Sequence, residues 1–114
     1  MAFVGTTVGG AALVKADGRI DMSNADAFKD ALMSAVSTAK SAVIVDMAGV
    51  DYISSAGLRS LMIAFRAAKA AEKGFAVAAL TPLVLEIFTI SRFNLIFPLY
   101  GAVAEALQAL GERP

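Results

Sequence analysis

The chain has no cysteine, no histidine and no tryptophan among its 114 residues. Without cysteine there is no disulfide, no thiolate nucleophile and no zinc–thiolate site. Without histidine the commonest general base and the commonest metal ligand are gone, and a Ser-His-Asp triad with them. A surplus of either charge is also missing, since ten Lys and Arg balance ten Asp and Glu. Nucleic acids and anionic membranes select a basic surplus, so neither is an expected partner. Carboxylates, lysine, tyrosine and hydroxyls remain for chemistry, and no catalytic pair stands out among them. The expectation is a binding or switching module, not an enzyme, with no metal and no cofactor.

Long apolar runs are missing too. Hydrophobic residues make up 58% of the chain and the mean hydropathy is +0.69, enough for a real core. A spanning helix needs about 20 consecutive apolar residues. The most apolar stretch, residues 75–104, is broken by Pro82, Glu86, Arg92 and Pro98. Its charge-free pieces, residues 75–85 and 93–104, are too short and too punctuated to span. The first 14 residues are uncharged, but they carry Gly5, Gly9 and Gly10 and lack the basic start of a signal peptide. These features predict a soluble, cytoplasmic protein with no membrane insertion, and the length fits one domain over residues 1–114.

The pattern reads as alternating strands and helices. Residues 3–8 and 11–16 are strands around a Gly9-Gly10 turn, closed by Asp17-Gly18. A helix over residues 25–38 follows, capped by Ser23 or Asn24, with Phe28, Leu32 and Val36 on one face. Residues 42–45 suit a buried strand ended by Asp46, with residues 49–53 a loop or short extended segment. The longest helix starts at Ser54 or Ser55 and runs to about Lys73, with Gly74 as its stop. Its expected inward stripe is Leu58, Leu61, Met62, Phe65 and Ala68. A strand over residues 75–80 and a helix entered through Thr81-Pro82 come next, with Val84, Leu85 and Phe88 inward. Residues 95–97 are a short last strand. Residues 102–110 are a terminal helix with Val103, Leu107 and Leu110 inward, and residues 111–114 a tail. The order is β-β-α-β-α-β-α-β-α: an α/β fold with a mixed, mostly parallel sheet and helices mainly on one face.

One segment invites chemistry: Tyr52-Ile53-Ser54-Ser55-Ala56-Gly57-Leu58-Arg59. It sets a hydroxyl at a helix entrance, where unpaired N–H groups and the helix dipole favour an anion. Ser55 is either an ordinary cap or a phosphate acceptor. Gly57 leaves room for a close approach. With Leu58 facing the core, Ala56, Ser60, Ile63, Ala67 and Ala70 point away, a small apolar face where charge is usual. Arg59, Arg66 and Lys73 recur beside it at intervals of seven. This face is either good helix former plus solubilising charge, or a surface for an acidic partner. Asp21, Asp46 and Asp51 lie nearest the entrance by topology, as turn caps or as helpers in holding a metal–nucleotide. Gly9-Gly10 and Gly18 lack the strand and helix context of a phosphate loop.

The runs Val43-Ile44-Val45-Asp46-Met47 and residues 50–58 resemble the signature of STAS domains of the bacterial anti-sigma factor antagonist family. Gly18-Arg19-Ile20-Asp21, Gly74, Pro82, residues 93–97 and residues 104–107 fit the same pattern, so the likeness covers nearly the whole chain. It implies a STAS-like fold and a partner switch. The antagonist binds a serine-kinase anti-sigma factor, is released when that kinase phosphorylates it, and is restored by a metal-dependent serine phosphatase. The motif Asp-Ser-Ser/Thr-Gly at the second helix places the acceptor on Ser55, with Ser54 as the alternative. Ser54, Ala56, Gly57, Arg59, Ser60, Ile63, Arg66 and Ala67 are then the expected partner contacts. Ser54 stands where the motif has Asp, and Ala56 where it often has a second hydroxyl. A second reading is a STAS-type regulatory subunit of an ABC-type lipid transport complex, bound constitutively.

Overall fold

Gly9 takes φ 60°, a left-handed conformation that glycine adopts without strain, and so folds β1 (Phe3–Val8) back on β2 (Ala11–Ile20). The hairpin is antiparallel, with Val8 opposite Ala11 and Phe3 opposite Ala16. The computed structural model describes residues 3–111. After the hairpin come α1 (Ala25–Thr38), β3 (Ala42–Ile53), α2 (Ser55–Ala70), β4 (Gly74–Ala78), α3 (Pro82–Ile90), β5 (Leu99–Tyr100) and α4 (Val103–Ala106). A 3-10 turn, Phe93–Leu95, follows α3, and a π-turn, Leu107–Gly111, follows α4. The element order is the expected one.

The five strands lie in chain order, β1-β2-β3-β4-β5, and every pair after the hairpin is parallel. Right-handed crossovers that step always in one direction put their helices on one face. Side chains alternate across each strand. Val14, Ala16, Val43, Val45, Phe75 and Val77 therefore meet Phe28, Leu32, Leu61, Val84 and Phe88 under α1, α2 and α3. Ala11, Ile44, Ala76 and Ala78 point the other way, beneath Ala106 of α4. Val103, Leu107 and Leu110 pack there as expected. Phe65, Phe75 and Phe97 form a three-ring contact under α2, with Phe65 and Phe97 centroids 5.1 Å apart.

Several boundaries differ from the sequence reading. β3 does not end at Asp46; it runs 12 residues to Ile53, because β2 continues beside it through Arg19 and Ile20. Two register shifts, between Lys15 and Asp17 and between Gly18 and Arg19, absorb two extra residues in β3 and keep Val50 and Ile53 in the core. Gly49 leaves room in this stretch for the Asp17 carboxylate, which a Cβ there would displace.

α2 stops at Ala70, three residues early, and Glu72 at φ 61° turns the chain. Gly74 opens β4, which ends at Ala78, where Ala79 takes φ 62°. Leu85 is exposed and Ile87 packs in its place. The last strand is Leu99–Tyr100, after Pro98; residues 93–95 are the 3-10 turn. The terminal helix is only four α-residues before the π-turn, which includes Gly111. The rest of the expected tail, residues 112–114, lies outside the described residues. No helix among the described residues is long and apolar enough to cross a membrane.

Candidate functional site at the entrance to the second helix

Ile20 and Ile53 end the two longest strands side by side and point into the core. The amide of Ser54 donates to the carbonyl of Ile20 at 2.8 Å, so the chain leaves β3 fastened to β2. Ser54 has φ −89° and ψ 174°, the extended geometry of an N-cap, and its Oγ accepts from the amide of Gly57 at 3.4 Å. The cap is therefore Ser54. Ser55 becomes the first helical residue, exposed, and its hydroxyl makes no hydrogen bond among the described residues.

Gly57 faces inward, not outward. A Cβ at this position would lie 2.7 Å from Ile53 Cγ1 and 2.8 Å from Ile20 Cγ2. The space it leaves is used by the two isoleucines, which lets the first turn of α2 settle on the strand ends.

The small residues of α2 have a similar explanation. α1 lies along α2, and Ser60 is buried between them, 4% exposed. Its hydroxyl donates to the carbonyl of Ala25 at 2.9 Å, with the carbonyl of Ala56 at 3.2 Å. Ala67 is half-buried and packs against the core, and Ala56 is half-buried. The expected outward orientation of Ser60 is therefore corrected: it sits in the seam between the helices, with its hydroxyl turned to α1. Ile63 at 39% exposure, Arg59 and Arg66 do reach the surface. Lys73 leaves the expected basic stripe, because α2 has already ended. Its Nζ donates to the carbonyl of Val36 at 2.6 Å, near the C-terminal end of α1.

Where the two helices part, a groove of about 360 Å³ opens. α2 gives it Ala56, Arg59, Ser60 and Ile63, and the start of α1 gives Met22, Ala25, Asp26 and Lys29. Met22 is 85% exposed. The α1 side was missed in the sequence, although Met22 stands alone as a large apolar residue in the polar run Asp21-Met22-Ser23-Asn24.

The three acidic residues do not come together. Asp46 lies seven residues before the end of β3, roughly 23 Å back along the strand at about 3.3 Å per residue. Its carboxylate accepts from the amide of Ala48 at 3.0 Å, so it has no place at the helix entrance. Asp51 is exposed near the end of β3. Asp21 is the one built into the entrance. It accepts from the hydroxyl of Ser23 at 2.6 Å and the amide of Ser23 at 2.9 Å, and pairs with Arg19 Nε at 3.2 Å. These bonds, the Ser23 hydroxyl first, hold its carboxyl below the usual carboxylate range, and slight desolvation opposes them. Arg19 in turn lies 4.2 Å over the ring of Tyr52, its neighbour across the strands. Asn24 braces the same turn: its Oδ1 accepts from the Asp21 amide and its Nδ2 donates to the Arg19 carbonyl, both at 2.9 Å.

Residues 6–99 match a family model described as Mlab, STAS domain. BtrV of Bordetella bronchiseptica, named as a candidate anti-sigma factor antagonist, is 32% identical over 92 residues, 81% of this chain and 79% of that one. The crystal structure of an anti-sigma factor antagonist from Mycobacterium paratuberculosis superimposes with TM-score 0.87 at 28% identity, covering 95% of this chain and 92% of that one. The Bacillus cell fate determinant SpoIIAA in its phosphorylated form shares the fold at 15% identity and TM-score 0.72, covering 95% and 98%.

Proposed function

The chain belongs to the STAS domain family, and from that premise we propose that it acts as an anti-sigma factor antagonist in a partner switch. Unmodified, it binds a serine-kinase anti-sigma factor through the entrance to α2 and the groove beside it. The kinase then phosphorylates Ser55. The Ser55 oxygen bonds to the terminal phosphorus of a nucleoside triphosphate held by the kinase, the bond to the diphosphate breaks, and the hydroxyl proton passes to a base of the kinase. The modified form is released, and a metal-dependent serine phosphatase hydrolyses the phosphate to restore it.

The observation that carries this reading is the division of labour between the two serines. Ser54 serves as the cap, which leaves the Ser55 hydroxyl exposed and unbonded at the head of a helix. The names of the relatives support it, as does the existence of a phosphorylated form of SpoIIAA. A phosphate adds about −1.5 to −2 charges, and a helix N-terminus tolerates it. The cost falls on a docked partner, which would bury an unpaired dianion. No conformational change is required of the chain itself.

A second reading is favoured by Ser54, which stands where the acceptor motif has an acidic residue, and by the Mlab description of the matching model. In it the chain is a STAS-type regulatory subunit of a membrane transport complex and holds its partner constitutively through the same surface. Incubation with ATP and the kinase encoded nearest the gene separates the two. The partner switch requires a gain of one phosphate by intact mass, absent in Ser55→Ala. Phosphate found only on Ser54, or no modification with full partner binding, favours the second reading.

A further inference from the structure

Resting on Ser55 as the phosphate acceptor, we infer that the phosphate and the partner compete for one side chain, Arg59. Arg59 lies one helical turn beyond Ser55 and is exposed. Side chains of a helix lean toward its N-terminus, so the guanidinium can reach back over the turn that Ser55 occupies. Residues four apart on a helix have Cβ atoms about 5–6 Å apart, and acid before base is the favourable order. The guanidinium has no ion-pair partner among the described residues, where the single ion pair is Arg19 with Asp21.

Arg59 also lines the groove between α1 and α2. It stands there with Lys29, the exposed Met22 and Ile63. Against the one carboxylate of Asp26, the two cations leave the groove net positive beside its two apolar side chains, which fits a partner segment that presents a carboxylate next to an aliphatic residue. With Ser55 unmodified, Arg59 is free to fork onto that carboxylate. With Ser55 phosphorylated, the same planar donors fork onto phosphate oxygens one turn away. The groove then loses the cation that recognised the partner. The modification thus acts by withdrawing a residue from the interface as well as by adding charge beside it.

The test uses the full chain with phosphoserine placed at position 55 during translation, so that it does not depend on any kinase. Phosphorus NMR titrations are run on this protein and on its Arg59→Gln and Arg59→Lys variants. The clamp requires the second phosphate ionisation to lie lower with Arg59 than with Gln by about half a unit or more, with Lys between them. Binding of the kinase that passes the mass test is then measured with and without the phosphate. The phosphate penalty should fall about tenfold in Arg59→Gln, and the unmodified variant should bind about tenfold more weakly. Identical titrations in all three proteins, or an undiminished penalty in Arg59→Gln, overturn the inference and leave the docking reading intact. A normal clamp in a chain that no kinase modifies at Ser55 upholds the contact and overturns the partner switch.

Discussion

The hydroxyl of Ser60 reaches across to the carbonyl of Ala25 at 2.9 Å and fastens α2 to the first residue of α1. The bond is buried, and it crosses the floor of the groove beside the candidate switch. Ser60→Ala should cost about 1 kcal/mol, the usual value of one buried hydrogen bond. Urea unfolding should show the lower midpoint, while partner affinity stays within about twofold when both proteins are fully folded. A large loss of affinity with no loss of stability would make Ser60 a contact after all.

Gly57→Ala probes the close seat of the helix on the strand ends. The new methyl would push against Ile53 and Ile20, both part of the buried core. Overpacking of this kind costs about 1–3 kcal/mol. Thermal or urea unfolding reads it directly. A variant as stable as the parent would mean that the isoleucines move aside freely.

Asp21 sets a pH dependence with a defined sign. Its carboxyl titrates below its ordinary value, 3.8, because Ser23 and Arg19 favour the ionised form. A depressed folded-state value contributes stability that is present above the unfolded value and is lost as pH falls through the folded one. Carbon NMR titration should place Asp21 below the usual carboxylate range. Ser23→Ala removes the largest single cause, the hydroxyl bond, and should move it up, while the Ser23 amide bond remains. An unchanged value in Ser23→Ala would show that the hydroxyl does not hold it down.

Ile63→Asp tests where the partner sits. Ile63 is 39% exposed at the lip of the groove, so the change should cost folding only about 0.5–1 kcal/mol. Partner binding should fall by about 2 kcal/mol or more, as for a buried apolar anchor. Calorimetric titration measures the binding, and circular dichroism must match the parent. Unchanged affinity in a folded variant moves the docking surface off this groove.

Most of the architecture was legible because apolar spacing and turn residues agree along the chain. α1 and the Gly9-Gly10 turn lie where the periodicity puts them, and Thr81-Pro82 does open a helix. The sequence pattern ends β3 early because Asp46, Gly49 and Asp51 look like loop residues. Gly49 and Asp51 are tolerated because the strand after Asp46, which faces Ala78 at the end of β4, pairs with β2 alone. The head of α2 was legible from its two serines and its glycine. The direction of its small residues was not, because helical phase shows which residues share a face but not which neighbour covers it. Ser60 is small for the sake of α1, and Ala67 packs against the core. Met22 and Lys29, from a distant part of the chain, enter the groove only through that packing.

Strands that lie in the sheet in the order of synthesis also shape how the molecule assembles. Each parallel strand joins the one made just before it, so the loops that close are short in sequence and lose little entropy. β2 and β3 can pair around α1 before β4 exists, and the candidate switch serine is carried on the turn that leaves this first unit. Only α4 and its π-turn reach back, across β4 to β3 and β2, to cover the second face. α4 and its π-turn are then expected to close late, over a sheet whose other end, with the candidate site, is already built.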